Sequence, residues 1–544
     1  MKLKLFLVLM ATISWGCKQK TSIDMIIKNA KIYSVNEDFD VFESMVVNDG
    51  EIIALGDDEE ISQKFKADKE IDLKGKSVYP GLIDPHCHFY GYGATLQEAD
   101  LFETTSFNDV LSRLKEHAEK FEEGWITGMG WDQNDWEVKE FPSKEKLDEI
   151  FPDRPVLIRR IDGHAALANS AALEIAGIKG PVEVEGGEVE TENGEPTGIL
   201  VDNAIDLVRK NIPEPTEEQI RNSLLAAQEN CFAVGLTSVH DAGLDKKIIQ
   251  SIDSLQKSGE LKMNIYAMLS PTKENFEEFM YKGIYRTDKL HIASIKLYAD
   301  GALGSRGALL IDDYSDDPGN KGLLLSSESY LREMAELADS FGYQVNTHCI
   351  GDGANRLILN LYRDILQEKN DKRWRIEHAQ IVHPDDVKLF GEYSIVPSIQ
   401  TTHATSDMYW ADERLGDRIN SAYTFQTFLQ ENGWLPNGSD FPIEEINPLL
   451  GYYAGVVRKD TKGYPEGGFL PDEVLTREQA LRAMTIWAAK AAFEENEIGS
   501  LEPGKKANFV VLDQDIMLAP ENEIYKTKIL ETWIDGDQVY SSEK

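Results

Sequence analysis

Short apolar runs alternate with amphipathic helical stretches through the middle of this chain. This alternation is the pattern of βα units around a parallel sheet. The strand-like runs are residues 82–83, 236–239, 264–268, 292–298, 344–347, 375–376, 395–398 and 435–438. Eight such units predict an α/β fold, a (β/α)8 TIM barrel, and polar residues cluster where the runs end. Barrel enzymes place their chemistry at the carboxyl ends of the strands, so these polar residues are the candidate site.

The interval between the first and second runs, about residues 90–233, is too long for a single helical connection. We therefore expect an insertion subdomain there, placed to cover the barrel mouth. Short β-type runs also occur at 22–80 and at 498–544, and too few lie at either end to bury a core alone. The two termini are predicted to build one β-sandwich domain beside a barrel domain at 81–497.

Length and charge restrict the function. The 544 residues allow two or more domains, or one large barrel with additions. With 56 basic and 95 acidic residues, the formal net charge is −39, which argues against sequence-independent binding to nucleic acid or anionic lipid headgroups. The expected partner is a small-molecule substrate and not a nucleic acid, and a homodimer is an open alternative.

A separate element precedes the fold at residues 1–17. Lys2 and Lys4 precede an apolar stretch that is too short to span a bilayer, and Gly16 lies directly before Cys17. The pattern resembles a bacterial lipoprotein signal. Cleavage before Cys17 would leave an exported protein, in the periplasm or at the cell surface, whose membrane contact is an N-terminal lipid anchor alone. A plain signal peptide is the alternative.

The first strand run ends in His86-Cys87-His88. Side chains at positions i and i+2 of a strand point to the same face, so His86 and His88 can hold one metal ion together. Cys87 must point the other way and is expected to take no part in chemistry. Two histidines make at most half of a metal site, and two partly buried polar residues at a strand end are the alternative explanation.

Further candidate ligands close later strands: Lys296, His348, His378 and Asp440. Imidazoles and carboxylates suit zinc and similar divalent ions. A lysine facing the barrel interior needs a reason, because burying its charge is costly. An unmodified ammonium has no lone pair to give a metal. A lysine carboxylated by CO2 would instead present a carboxylate that bridges two metals.

Together these segments resemble the amidohydrolase superfamily, in the amidohydrolase 3 branch of N-substituted formamide deformylase-like, metal-dependent hydrolases. The similarity covers essentially the whole chain after the signal. The matching motifs are PGLIDPHCH at 80–88, DGH at 162–164 with NS at 169–170, IKL at 295–297 with DG at 300–301, GSDFP at 438–442 and GSLEPG at 499–504.

The resemblance implies a two-metal centre. His86 and His88 would hold one ion, His348 and His378 the other, with a carboxylated Lys296 as the bridge and Asp440 as a ligand and proton shuttle. The expected ion is Zn²⁺, with Mn²⁺ or Fe²⁺ as alternatives, and a single zinc on a subset of these ligands stays open.

Two other histidines are candidates for contact with the substrate. The resemblance suggests that His164, in the insertion, faces the site, and the alternative is a hydrogen-bonded histidine that shapes a loop. His403 follows the seventh strand run, where it could contact substrate or stabilise a developing oxyanion. Both are treated as catalytic candidates alongside Asp440 and Lys296.

The implied reaction is hydrolysis of a carbon–nitrogen bond, chiefly other than an ordinary peptide bond. N-formyl or N-acyl amines, cyclic amides and small peptides are the substrate classes, with a metal-activated hydroxide as nucleophile. One alternative is a deaminase with a single metal, but those enzymes carry a glutamate shortly after the fifth-strand histidine, and here CIGD follows His348. Another alternative is a non-catalytic binding lipoprotein that retains the fold.

Overall fold

The computed structural model describes residues 20–120, 124–160, 165–184 and 187–543. The expected signal segment at 1–17 and the candidate His164 both lie outside these ranges. Within the described ranges, no helix is both long and apolar enough to cross a membrane.

The described part of the chain begins with a small β-region, in which some strands pair antiparallel and others parallel. Its first four-stranded sheet has the order β5-β4-β1-β6, and β2, β3 and β7 belong to a second sheet. The elements are β1 (Thr21–Lys28), β2 (Lys31–Tyr33), β3 (Val41–Phe42), β4 (Ser44–Asn48), β5 (Glu51–Gly56), α1 (Asp58–Lys64), β6 (Phe65–Asp72) and β7 (Ser77–Pro80). A turn at Asp49 and Gly50, both with positive φ, joins β4 to β5.

The first barrel strand, β8 (Leu82–Cys87), leads into the inserted region. This region has its own seven-stranded sheet of order β13-β14-β15-β12-β11-β10-β9, with a buried apolar cluster on each face. Its elements are α2 (Phe89–Thr95), β9 (Ala99–Asp100), α3 (Phe107–Lys120), β10 (Ile126–Trp131), α4 (Glu145–Ile150), β11 (Val156–Arg160), β12 (Ala165–Ala168), α5 (Ser170–Ile175), β13 (Glu183–Val184), β14 (Gly187–Glu192), β15 (Glu195–Asp202) and α6 (Ile205–Arg209).

The central domain is a barrel of parallel strands with helices outside it. The parallel strands pair in the order β22-β21-β20-β19-β17-β16-β8, and the short β18 pairs antiparallel with β19. Their bounds are β16 (Leu236–Leu244), β17 (Asn264–Leu269), β18 (Tyr285–Arg286), β19 (Leu290–Tyr298), β20 (Gln344–Cys349), β21 (Arg375–His378) and β22 (Val396–Ser398).

The expected eighth strand is not a regular strand. The segment 435–441 makes one parallel bridge, between Asn437 and Ile399, and closes the barrel on its other side through Asp440 N–H donating to His86 O at 2.8 Å. Pro436 has no N–H to donate and Asp440 adopts a left-handed φ of 65°, so a continuous ladder cannot form here. Backbone hydrogen bonds on both sides still complete the barrel.

Helices that surround the barrel bury one apolar face against the sheet. In α8, Ile248, Ile249, Ile252 and Leu255 recur at helical spacing and are buried, and Gly259 ends the helix at φ 81°. The helices are α7 (Glu217–Ala233), α8 (Lys246–Ser258), α9 (Lys273–Glu278), α10 (Glu328–Ser340), α11 (Asp352–Leu366), α12 (Lys388–Tyr393), α13 (Thr401–Asp407), α14 (Ala411–Leu415), α15 (Phe425–Asn432), α16 (Pro448–Val457), α17 (Arg477–Ala483) and α18 (Ile486–Ala491).

The C-terminal strands complete the second sheet of the β-region. They are β23 (Phe509–Leu512), β24 (Ile529–Ile534) and β25 (Asp537–Ser541), in a sheet of order β25-β24-β23-β7-β2-β3. One buried cluster contains Met45 of the first sheet together with Val78 and Trp533 of the second. The two chain ends therefore share one core, and a (β/α)8-type barrel with an added β-rich domain is confirmed.

The seam between β8 and the segment 435–441 leaves no room for a side chain at Gly438. A Cβ there would lie 2.7 Å from Asp84 Oδ1 and 2.8 Å from His86 N, so we expect Gly438→Ala to destabilise the protein by about 1–3 kcal/mol. Urea unfolding measures this loss. Gly451→Ala is the control, because its new methyl meets neighbours only at 3.4 Å and beyond, and an equal loss in both variants would contradict the close fit of the seam.

Candidate metal centre

His86 lies at the carboxyl end of β8 with a fully buried side chain. Its Nδ1 is 2.5 Å from Glu377 Oε2, and its Nε2 is 3.0 Å from Lys296 Nζ and 3.5 Å from Asp440 Oδ1. Burial lowers the pKa of His86, and the positive charge of Lys296 lowers it further. One ring nitrogen faces Glu377, and the other faces the centre of the cluster.

His88 and Asp440 complete a group that can hold a metal ion. His88 Nε2 lies 3.3 Å from Asp440 Oδ1, while His88 Nδ1 is 3.0 Å from the carbonyl oxygen of Ala242 at the end of β16. One ligand atom each from His86, His88 and Asp440 all lie within 4.8 Å of one another. The turn at Asp440, with its left-handed φ of 65°, aims the carboxylate at both histidines.

Lys296 projects from β19 into this group and is 1% exposed. In the described part of the chain, no carboxylate lies within ion-pair distance of its Nζ, whose close neighbour is His86 Nε2. Burial lowers the pKa of Lys296. Tyr298, two residues later on the same strand, is 39% exposed, and its ring centroid lies 5.0 Å from Lys296 Nζ and 5.8 Å from the His348 ring.

His348 and His378 close β20 and β21 beside the first group. Their ring centroids are 4.5 Å apart, and the His378 centroid is 4.7 Å from that of His86. His378 Nδ1 is 2.7 Å from Gln400 Oε1, and His348 Nε2 is 3.9 Å from Asp300 Oδ1. The four histidines of the expected ligand set thus lie side by side at one end of the barrel.

His403 faces the same centre, from the first turn of α13 and not from a strand end. Its Nε2 is 3.8 Å from Asp440 Oδ2, and its ring stacks on that of His378 with centroids 5.7 Å apart and an interplanar angle of 17°. The catalytic candidate His164 belongs to the part of the chain that the structure does not describe.

The donor set fits a divalent ion of the zinc type. Three buried atoms at the centre, Asp440 Oδ1, His348 Nε2 and His403 Nε2, have no hydrogen-bond partner among the described residues. Leaving such atoms unsatisfied is costly, and a cation would satisfy the carboxylate and imidazole atoms at once. Imidazole nitrogens with a carboxylate are the common ligands of Zn²⁺ in proteins.

Two buried acids at the site were not among the predicted residues. Glu377 precedes His378 and points into the barrel, where His86, Arg375 and Lys296 bring its pKa to about 2 although burial alone would raise it. Asp84 precedes His86 by two residues on the same strand face. Its carboxylate accepts hydrogen bonds from Ser439 N and Oγ and from His86 N, and burial raises its pKa to about 7. The available signal for Asp84 was an acid directly after the apolar pair Leu82-Ile83 in β8, whereas the strand RIEH gave no comparable signal for Glu377.

Comparison with known proteins agrees with this geometry. The model of the Amidohydrolase family matches residues 69–540. The chain belongs to the amidohydrolase family. This confirms the resemblance drawn from the motifs and makes the protein a metal-dependent hydrolase of that family.

Individual relatives of this amidohydrolase extend over nearly its whole length. Protein LONG AFTER FAR-RED 3 of Arabidopsis thaliana is 33% identical over 95% of this chain and 91% of its own. N-substituted formamide deformylase of Arthrobacter pascens is 26% identical over 94% of this chain and 97% of its own. An uncharacterized metal-dependent hydrolase of Pyrococcus horikoshii has a solved structure with 30% identity and a TM-score of 0.79, covering 91% of this chain and 99% of the other.

Separate replacement of the three residues 86–88 tests the ligand assignment. We expect His86→Ala and His88→Ala to weaken zinc binding by more than the about 10–100-fold typical of losing an outer hydrogen-bond partner, because each removes a donor atom. Cys87→Ala should keep its zinc, because Cys87 is buried in the apolar core with its Sγ 3.6 Å from His240 O. Metal analysis after dialysis measures this, and zinc loss from Cys87→Ala would contradict it.

Proposed function

We propose that this amidohydrolase cleaves an amide-type carbon–nitrogen bond in a small molecule, such as an N-formyl or N-acyl amine, a cyclic amide or a small peptide. The observation that carries the proposal is the convergence of His86, His88 and Asp440 ligand atoms within 4.8 Å, next to the buried Lys296. The likeness to N-substituted formamide deformylase over 94% of the chain supports N-substituted formamides as the first substrates to test.

The proposed centre contains one or two Zn²⁺ ions. His86, His88 and Asp440 would hold one ion, and His348 with His378 would hold a second. When bound, such ions polarise a carbonyl and acidify water. A carboxylated Lys296 would also remove an electrostatic problem, because a buried ammonium with no carboxylate at ion-pair distance among the described residues is costly, whereas a carbamate would be an anion beside the bound cations.

Asp440 is proposed to move the proton. Burial alone would raise its pKa, but the close contact with His88 and the neighbouring rings of His86 and His378 hold the pKa well below its usual range. The carboxylate is therefore ionised before reaction and can accept a proton from the attacking water. The same oxygen can then donate this proton to the nitrogen of the departing amine.

Two further residues are proposed to act on the substrate. His403 Nε2, at 3.8 Å from Asp440 Oδ2 and otherwise unpaired among the described residues, can donate a hydrogen bond to the carbonyl oxygen as charge develops there. Tyr298 presents a partly exposed ring beside His348 and can pack against the acyl or amine group.

A substrate panel with an Asp440 variant tests the proposed reaction. The protein with Zn²⁺ or Mn²⁺ is expected to hydrolyse at least one member of a panel of N-formyl amines, N-acyl amines, cyclic amides, esters and dipeptides. Asp440→Asn should lower kcat by about 10²–10⁴, as expected for loss of a general acid–base, while Asp385→Asn at the surface should not. Steady-state rates at measured metal content give the comparison. Full activity in Asp440→Asn would overturn the mechanism.

The proposal also covers where the protein lies in the cell. We infer export and lipidation at Cys17 from the basic start, the apolar stretch and the Gly16-Cys17 pair. In a bacterial host, globomycin is expected to cause an unprocessed precursor to accumulate, and Cys17→Ser should prevent lipid labelling. Normal processing in the presence of globomycin would leave only a plain signal peptide, which a shift to soluble periplasmic protein would identify.

A further inference from the structure

Glu377 makes a hydrogen bond that its position in the chain does not suggest. Glu377 lies inside β21, directly before His378, whose positive φ of 73° ends the strand geometry, and the side chains of both residues reach His86. Glu377 Oε2 lies 2.5 Å from His86 Nδ1, and both side chains are completely buried. Because a carboxylate with no proton can only accept, this contact requires a hydrogen on Nδ1 of His86.

Arg375 holds Glu377 in place from the same face of β21, two residues earlier. Its Nη1 is 3.7 Å from Glu377 Oε1 and also donates to Pro85 O at 3.0 Å, while Nη2 donates to Ala491 O at 2.6 Å. The guanidinium is thus fixed by two backbone carbonyls and supplies a counter-charge. Glu377 Oε1 has no hydrogen-bond partner in the described ranges, which leaves His86 as the one group that the carboxylate bonds there.

Two other histidines of the expected ligand set bond through Nδ1 to weaker acceptors. His88 Nδ1 faces the backbone oxygen of Ala242 at 3.0 Å, and His378 Nδ1 faces the amide oxygen of Gln400 at 2.7 Å. Each contact turns the same ring nitrogen outward and leaves Nε2 for the centre. Of these three histidines, His86 alone bonds a carboxylate through Nδ1 within the described residues, and a hydrogen bond to a charged group is about twice as strong as one between neutral groups.

We propose that Glu377, held by Arg375, is a positioning residue that fixes His86 as the Nδ1–H tautomer and strengthens its Nε2 as a metal ligand. A carboxylate on the far nitrogen of a ligand imidazole raises the basicity of the near one. The ion on His86 is therefore held more tightly than the same ring with a neutral acceptor would hold it. This inference rests on the proposed metal centre but not on the substrate or the reaction.

Zinc affinity in Glu377→Gln tests the inference, because the variant keeps the shape and removes the charge. A chromophoric chelator competing for Zn²⁺ resolves the binding steps of the whole protein, and the step that His86→Ala abolishes is the one to follow. We expect Glu377→Gln to weaken that step by about 10–100-fold and to change the other step, where present, by much less. With Co²⁺ in place of Zn²⁺, the visible spectrum of that step should shift.

The matched control is Glu444→Gln. Glu444 is another carboxylate near Asp440 in the sequence, but it accepts from Ser406 Oγ at 2.6 Å and contacts no histidine in the described structure. An unchanged affinity in Glu377→Gln would overturn the inference, and so would an equal loss in both variants, which would indicate a general effect of net charge. Failure of the wild-type protein to bind zinc would overturn the metal centre itself, so the two failures differ.

A second measurement does not depend on whether Glu377→Gln folds. Removal of the acid charge leaves Arg375 buried without its counter-charge, and the loss of such a partner can destabilise the fold. Long-range nitrogen–proton NMR of metal-free wild-type protein with ¹⁵N-labelled histidine rings reports each tautomer, and His86 is assigned by its absence in His86→Ala. We expect the Nδ1–H form of His86. An Nε2–H form would overturn the proposal.

Discussion

Charge buried inside the barrel must be balanced without water, and the rest of the site depends on that balance. TIM barrels usually fill their interior with layers of branched apolar side chains. Here Arg375 and Glu377 on β21 are completely buried, and Lys296 on β19, two strands away, is almost so. Removing one member of such a set leaves another charge uncompensated, at a cost that can exceed a sizeable part of the stability of the domain. A substitution at one of these three residues therefore affects the other two.

Hydrogen-bond acceptors behind the histidine rings determine how the site is shaped. The histidines lie at strand ends, but this position fixes only the Cα atom and the general direction of each side chain. The acceptors behind the rings, Glu377, Gln400 and the Ala242 carbonyl, fix which nitrogen faces inward. Because these acceptors are themselves in or next to strands, the ring orientations are established before any ion or substrate arrives, which is what a precise site requires.

Much of the site could be predicted from local sequence, because the carboxyl ends of all barrel strands meet at one end of the barrel. Strand periodicity places His86 and His88 on one face. Lys296, His378 and Asp440 were predicted because each lies at or near the carboxyl end of a strand run. The location of His403 in a helix and the irregular eighth segment were not predictable in this way, since Pro436 and the left-handed turn at Asp440 interrupt the pattern. Glu377 was missed because its partner lies 291 residues away, and only the barrel register brings them together.

The position of β7 has a consequence for how the chain is made. β7 lies in the middle of its sheet, between β2 and β23, yet β23 is among the last strands to be synthesised. Until then one edge of β7 has no partner, and β8, which follows it directly, waits for the segment 435–441 to close the barrel. A nascent chain must keep both edges from pairing with other molecules. The β-region and the barrel can therefore close only after the segment 435–441 and β23 have been synthesised, and a product truncated before them would be an aggregation hazard and not a smaller working enzyme.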